Sequence, residues 1–240
     1  MNAPTSPSPM TTGSSICAAV IETKESMWSI LLGESMTQQP TFSDGTPHTP
    51  PTRHPFIVFE GCDGSGKTTI SKAVAAHCNL FNGYNGHTWW SCEPFLYRDD
   101  IKSSTTPCEK ALLFAADRAY HCSLLQEGLQ DRMCITDRYY YSNLVYQSVL
   151  DNVLLPWLYA IQPPNLIRAD LIFFCTGDIP TLLNRCRSKG ETQWTAQQLN
   201  DLQEKYHDIL KCEKRIIIDT TEYGIDECVK KCITEIERLQ

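Results

Sequence analysis

Short apolar runs alternate with amphipathic stretches from Pro55 onward, and this alternation predicts strands separated by helices. The first run, Phe56–Phe59, is typical of a strand buried on both faces, because every position is apolar. Further apolar runs predict strands at residues 87–90, 134–136, 171–175 and 215–218. Helical spacing of apolar residues predicts helices at 67–79, 108–130, 140–161 (with a break at Pro156), 178–188, 196–212 and 224–238. Strands joined by helices favour an α/β fold, with a central parallel sheet of about five strands flanked by helices in three layers.

Residues 1–54 differ in composition from the rest of the chain. They hold 7 of the 14 prolines and 17 Ser or Thr residues, but only two basic residues, Lys24 and Arg53. A stretch of this kind cannot bury enough apolar surface to offset its chain entropy, so we expect a disordered extension. Residues 55–240 are expected to form one domain of ordinary size.

The overall composition narrows the function classes. Hydrophobic residues make up 42% of the chain, which is enough for a core, and the net charge of −7 argues against a nucleic-acid partner. No apolar run reaches the roughly 18–20 residues of a membrane span. The 12 cysteines occur in a long chain without a signal-peptide pattern, so we interpret them, Cys62 excepted, as small core residues. That interpretation predicts a reducing compartment, cytoplasmic or alternatively nuclear.

A glycine-rich segment after the first strand fits the phosphate-loop pattern G-x-x-x-x-G-K-[ST]. It follows a predicted strand and opens a predicted helix, so its backbone N–H groups and the helix N-terminus can converge on phosphate oxygens. Lys67 is then placed to reach the β- and γ-phosphates of ATP, and the Thr68 hydroxyl to bind Mg²⁺. The candidate nucleotide-binding residues are Gly61, Cys62, Asp63, Gly64, Ser65, Gly66, Lys67, Thr68 and Thr69.

A phosphate loop predicts a nucleotide but leaves the reaction open. A GTPase needs an N-K-x-D motif to read guanine, and the sequence contains none. A motor or helicase needs basic and aromatic contacts to nucleic acid, which the acidic chain does not favour. The class that remains is a small kinase with a small acceptor.

The segment Asp137–Gln147 contains candidates for the acceptor side. Asp137 ends a predicted buried strand, where a phosphate-loop enzyme holds its Mg²⁺ shell or orients the acceptor. Arg138 can bind a phosphate through both arms of its guanidinium, and Gln147 with the tyrosines can shape a pocket for a flat base. The alternative is a helix cap at Asp137 followed by core tyrosines.

Two further groups of residues are candidates for binding. Phe114 and Arg118 lie four apart on a predicted helix, so a ring face and a guanidinium can share one space; the alternative is core packing plus a surface charge. Arg185 and Arg187 belong to a basic segment at 185–194, which predicts a lid that closes over the transferring phosphates. The alternative for this segment is a solvated basic helix end.

Together these motifs resemble the thymidylate kinase family, whose members phosphorylate dTMP to dTDP with ATP and Mg²⁺. The resemblance rests on the segments 59–69, 114–118 and 137–147. It covers most of residues 55–240 and none of 1–54. It implies a P-loop NTPase-type fold, a homodimer, and dTMP and ATP as the substrates.

The resemblance also implies roles for individual residues. Phe114 would stack on thymine, and Arg118 would donate a hydrogen bond to it. Asp63 and Arg138 would bind the sugar and phosphate of dTMP. Asp137 would support the metal. The implied catalytic residues are Lys67, Asp137, Arg138, Asp63, Arg185 and Arg187. The implied metal ligands are Thr68 and Asp137. The implied substrate-binding residues are Phe114, Arg118, Arg138, Ser142, Tyr146, Gln147, Glu93 and Arg98.

One departure from the family pattern leaves alternatives open. The family often has an arginine beside the Glu-Pro pair after the second strand, but Cys92 precedes Glu93 here, so Arg98 or Lys102 would have to replace it. A deoxynucleoside kinase, with Glu60 or Glu93 as the base for a 5′-hydroxyl, is the first alternative. The second is a nucleotide-binding module without catalysis.

Overall fold

Five parallel strands form one sheet in the part of the chain that the computed structural model describes, which is residues 53–81, 87–90, 106–150 and 154–239. The strands are β1 (Phe56–Glu60), β2 (His87–Trp90), β3 (Cys134–Asp137), β4 (Leu171–Thr176) and β5 (Arg215–Asp219). Their order across the sheet is β2-β3-β1-β4-β5, with every neighbouring pair parallel. Parallel neighbours require crossover connections, so the predicted α/β class is confirmed. The extension predicted for residues 1–54 falls almost wholly outside the described residues.

Helices connect the strands at nearly the predicted positions. They are α1 (Lys67–Phe81), α2 (Pro107–Asp131), α3 (Tyr140–Leu150), α4 (Leu155–Ala160), α5 (Ile179–Ser188), α6 (Ala196–Leu210) and α7 (Ile225–Glu237). The predicted helix 140–161 is two helices, and Pro156 lies in the first turn of the second. A proline is tolerated there because its missing N–H has no helical partner at that position. Within the described ranges, no helix combines the length and apolarity that crossing a membrane requires.

The core lies on both faces of the sheet. Alternate residues of β1 point to opposite faces: Phe56 and Val58 join one buried cluster, while Ile57 and Phe59 join the other. Helices cover both faces, which explains why the strand sequences are continuously apolar.

Most of the cysteines are part of this core. Cys228 and Cys232 on α7 are buried against the sheet, whereas Cys108 and Cys212 are exposed. No disulfide joins the ten cysteines within the described ranges. Their interpretation as small core residues is confirmed for the buried members of the set.

The fold places four loops at one edge of the sheet. Because the strands are parallel, the loops after β1, β3, β4 and β5 all leave from their carboxyl ends. The register pairs Phe59 of β1 with Asp137 of β3, so the residues that follow these strands begin side by side. This edge therefore gathers the phosphate loop, Arg138 and the segment after β5.

The central strands provide a test of the core. Phe173 of β4 is fully buried, with its ring centroid 5.0 Å from that of Phe59. We expect Phe173→Ala to lower the free energy of unfolding by about 3–5 kcal/mol in urea denaturation, because it leaves a cavity. Ile217→Ala is the control, since Ile217 lies on edge strand β5 and is 40% exposed. Its cost should stay near or below about 1 kcal/mol; equal losses for the two variants would contradict this account of the core.

Candidate active site

The phosphate loop is a tight turn between β1 and α1 that only glycine can form at several positions. Gly61, Gly64 and Gly66 have φ values of 149°, 76° and 78°. A Cβ on Gly61 would lie 2.3 Å from the carbonyl oxygen of Cys175, and one on Gly64 would lie 2.3 Å from that of Leu182. The loop is thus pressed against the ends of β4 and α5, and its backbone path is fixed.

Lys67 lies folded over this loop. Its side chain is buried, its Nζ donates to the carbonyl oxygen of Cys62 at 3.1 Å, and it lies 3.9 Å from a carboxylate oxygen of Asp63. Burial, together with the nearby charge of Arg138, lowers the pKa of the Lys67 ammonium. The Lys67 ammonium is thus held against the backbone of the phosphate loop.

Thr68 and Asp137 form a pair at the start of α1. The Thr68 hydroxyl donates to Oδ2 of Asp137, and Oδ1 of Asp137 is buried with no hydrogen-bond partner among the described residues. A hydroxyl and a carboxylate are oxygen ligands of the kind that Mg²⁺ prefers. No group of three or more His, Cys, Asp or Glu residues in the described ranges could hold a metal by itself. The pair therefore fits an Mg²⁺ whose other ligands come from water and substrate phosphates.

Arg138 is the centre of a polar cluster on the acceptor side. Its φ is 69°, a left-handed conformation that is uncommon for a residue with a Cβ and that here coincides with four side-chain contacts. One guanidinium nitrogen donates to Asp63 at 2.5 Å and to the Tyr146 hydroxyl at 3.1 Å. The other donates to Ser142 Oγ at 3.2 Å and to the Tyr206 hydroxyl at 3.4 Å.

The Asp63–Arg138 ion pair joins the phosphate loop to the loop after β3. Burial alone would raise the pKa of Asp63, but the charges of Arg138 and Lys67 and a hydrogen bond from Tyr146 lower it overall. The Tyr146 hydroxyl donates to the other Asp63 oxygen at 2.9 Å. A lowered folded-state pKa means that the pair is fully ionised at neutral pH and is lost only as the pH falls through that lowered value.

Glu60, at the end of β1, has a structural role that the sequence did not indicate. It is fully buried, and burial raises its pKa. Its oxygens accept from the backbone N–H of Tyr139 at 2.7 Å and from the N–H and Oγ of Ser142 at 3.3 and 2.7 Å. The deoxynucleoside-kinase hypothesis needs a carboxylate aimed at a hydroxyl. This carboxylate is instead engaged in holding the start of α3.

The predicted base-reading residues lie between α2 and α3. Arg118 is buried, with its guanidinium carbon 4.5 Å from the ring centroid of Tyr139, so it is not the surface charge of the alternative interpretation. Arg118 Nε and Gln147 Oε1 are both buried without a hydrogen-bond partner among the described residues. Phe114 is half-buried on the same helix as Arg118. Unpaired buried polar atoms are costly, so they are suited to a polar ligand.

The basic residues of the predicted lid do not act as one group. Arg187 and Lys189, at the end of α5, are exposed. Arg185 instead contacts the phosphate loop, where it donates to the Gly64 carbonyl at 3.3 Å. It also donates to the hydroxyl and the carbonyl oxygen of Thr220, each at 2.8 Å.

Several remaining candidates have simple outcomes. Glu93 and Arg98 lie outside the described residues, as does Lys102. Thr69 is exposed on α1. The prediction that Cys62 differs from the core cysteines is wrong, because Cys62 is fully buried as they are.

Comparison with known proteins agrees with this geometry. A family model described as thymidylate kinase matches residues 59–232. A probable thymidylate kinase of Methanocaldococcus jannaschii is 35% identical over 77% of this chain and 96% of its own length. Probable thymidylate kinases of Methanococcus maripaludis and Sulfolobus acidocaldarius are 32% and 34% identical, over 75% and 73% of this chain and 94% and 93% of their own lengths. The chain belongs to the thymidylate kinase family. It is therefore a nucleoside-monophosphate kinase, a phosphotransferase of a family in which a phosphate loop and ATP as the phosphate donor are typical.

Three residues of this thymidylate kinase site were missed from the sequence: Tyr206, Thr220 and Trp194, and Glu60 was named only as a base for the deoxynucleoside kinase. The ring centroid of Trp194 lies 5.9 Å from that of Tyr146. Tyr206 reaches Ser142 and Arg138 from α6, far along the chain. No local spacing relates such partners. The one available signal was at Glu60, an acidic residue directly after four apolar strand positions.

The burial of Cys62 makes a prediction about thiol chemistry. Burial raises the pKa of the Cys62 thiol to about 11, so at neutral pH well under about one part in a thousand is the reactive thiolate. We expect iodoacetamide to label the exposed Cys108 and Cys212 long before Cys62, as followed by peptide mass spectrometry. Urea-denatured protein is the control, in which all three should react. Labelling of Cys62 as fast as Cys212 in the folded protein would show that the loop opens.

Proposed function

We propose that this chain transfers the γ-phosphoryl group of ATP directly to the phosphate of dTMP, giving dTDP. The observation that carries the proposal is the Asp63–Arg138 pair, which joins a phosphate loop to a cationic acceptor cluster in a chain of the thymidylate kinase family. In-line transfer between two bound anions needs positioning and charge neutralisation more than covalent chemistry.

The donor side is assigned to the phosphate loop. Backbone N–H groups and the positive end of α1 would bind the phosphates, while Lys67 would neutralise charge on the transferred group. Thr68 and Asp137 would hold Mg²⁺, which supplies charge neutralisation on the ATP phosphates when bound. The donor-binding residues are Gly61, Cys62, Asp63, Gly64, Ser65, Gly66, Lys67, Thr68 and Thr69.

The acceptor side is assigned to Arg138 and to the space between α2 and α3. Arg138 would bind the dTMP phosphate through its fork, and Asp63 would orient that fork by pairing with it. Phe114 would stack on thymine, with Arg118 as a hydrogen-bond donor to its edge. Ser142, Tyr146 and Gln147 complete this assignment, and Glu93 and Arg98 stay predictions.

No general base is required by this proposal. A nucleoside monophosphate is already ionised at neutral pH, so the acceptor oxygen carries the charge it needs. A deoxynucleoside kinase would need such a base, and the hydrogen bonds of Glu60 leave it engaged elsewhere. Membership of a family of kinases gives no support to a module without catalysis.

Three further expectations, on the oligomeric state, the lid and the cellular location, also stay proposals. A homodimer is supported by Leu112 and Tyr120 on α2, which are 49% and 63% exposed although large and apolar. Arg187 with Lys189 is proposed to close over the phosphates as part of a lid. A cytoplasmic location is consistent with the reduced, buried cysteines.

An acceptor screen tests the proposed reaction. With ATP as donor, we expect coupled ADP release with dTMP, weaker release with dUMP and dCMP, and none with thymidine. Lys67→Ala should reduce turnover below detection, because it removes the cation directed at the transferred phosphoryl group. Turnover of thymidine without turnover of dTMP would replace this proposal with the deoxynucleoside kinase.

Arg118→Ala tests the base-reading assignment. We expect kcat/KM for dTMP to fall at least about tenfold, because a buried hydrogen-bond donor to the base is lost. The ratio of kcat/KM for dTMP to that for dCMP should fall as well. KM for ATP should not change, since Arg118 lies on the acceptor side. Gln130→Ala, an exposed position on the same helix, is the matched control. If Arg118→Ala keeps both rate and preference, another residue reads the base.

A further inference from the structure

We propose that Arg185 and Thr220 form an outer clamp that positions the phosphate loop, so that Arg185 is a positioning residue instead of a lid cation that contacts the phosphates. The clamp consists of these two side chains, and both donate to backbone carbonyl oxygens of the loop. The proposal rests on the proposed function in one respect, which is that the loop binds a nucleotide.

The clamp contacts three successive residues of the loop. Arg185 donates to the Gly64 carbonyl oxygen at 3.3 Å, and the Thr220 hydroxyl donates to the Ser65 carbonyl oxygen at 2.9 Å. The Thr220 side chain also packs against Gly66, where a Cβ would lie 3.4 Å from its Oγ1. Two carbonyl groups of the loop are therefore held by side chains that follow other strands.

Holding these carbonyls outward directs the next N–H groups inward. In a trans peptide the C=O of one residue and the N–H of the following residue point in opposite directions. The N–H of Ser65, which follows the Gly64 carbonyl, closes a turn onto the Cys62 carbonyl at 3.3 Å. The N–H of Gly66, which follows the Ser65 carbonyl, is the donor that the clamp directs toward a bound phosphate.

Thr220 can act as a clamp because it is itself fixed to the sheet. It is buried, and its backbone N–H donates to the Thr176 carbonyl at 3.0 Å, which continues the pairing of β4 with β5. Arg185 adds two 2.8 Å hydrogen bonds to the hydroxyl and carbonyl of Thr220. A planar guanidinium with three bonds to these neighbours is pre-organised in a way that a lysine cannot reproduce.

The test compares variants of the clamp by calorimetric titration with Mg²⁺–ADP, which reports on the donor site without the acceptor. Thr220→Val removes the hydroxyl but keeps the shape, and we expect ADP to bind about tenfold more weakly. Arg185→Lys keeps the charge but loses the fork, and the same loss is expected. Thr220→Ser restores the hydroxyl and should bind within about twofold of the wild type.

Thr221→Val is the matched control, because it removes a half-buried, hydrogen-bonded threonine hydroxyl at the next position in the sequence. Thr221 bonds Asp219 and the backbone of Asp178, and none of its bonds reaches the phosphate loop. Its ADP affinity should stay within about twofold of the wild type, even if its melting temperature falls. Melting temperatures of all variants separate loss of the clamp from loss of the fold.

Steady-state kinetics provide the second measurement. For each single variant, the clamp predicts a raised KM for ATP and an unchanged KM for dTMP. The Thr220→Val/Arg185→Lys double variant should have a KM for ATP no higher than that of either single variant, because the two side chains act through one element. Unchanged ADP affinity in folded Thr220→Val, or fully multiplicative losses in the double variant, would overturn the proposal. If ADP binding behaves as expected but dTMP is not phosphorylated, the clamp stands and the proposed acceptor is wrong.

Discussion

The ion pair between Asp63 and Arg138 is the contact on which the arrangement of this site depends. It joins the loop after β1 to the loop after β3, and thereby sets the distance between the donor and acceptor sides. The hydroxyls of Tyr146 and Ser142 accept hydrogen bonds from the same guanidinium, and Ser142 in turn donates to the carboxylate of Glu60. An unusual backbone conformation at Arg138 is maintained because all these partners favour it together.

The second constraint is charge. An acidic chain of net charge −7 has to bind two polyanions, so its positive charge must be local and directed. Lys67 and Arg118 are buried cations, and burying charge without a partner is costly. The protein offsets part of this cost with Asp63 next to Lys67 and with the ring of Tyr139 next to Arg118. The remaining cost is one that an anionic or polar ligand can relieve.

The sequence was most informative where the chemistry is contiguous. The phosphate loop from Gly61 to Thr68 could be found because its glycines, lysine and hydroxyl are neighbours in the chain, and the strands because buried runs such as Phe56–Phe59 are apolar throughout. The contacts of Tyr206 and Thr220 could not be found, because their partners are distant in sequence. The direction of Arg185 depends on how Leu182 and Cys186 bury one face of α5, which a local pattern does not determine.

The position of β1 in the middle of the sheet has a consequence for folding. Phe56 pairs with Cys134 and Ile57 with Leu171, so the strand that precedes the phosphate loop has no neighbour nearby in the chain. Pairings of such high contact order close long loops and form slowly. During synthesis on the ribosome, β1 leaves the exit tunnel before the other four strands, but it cannot be buried in the sheet until β3 and β4 have been made. Affinity for nucleotide should therefore arise late on the folding pathway, as a property of the finished sheet.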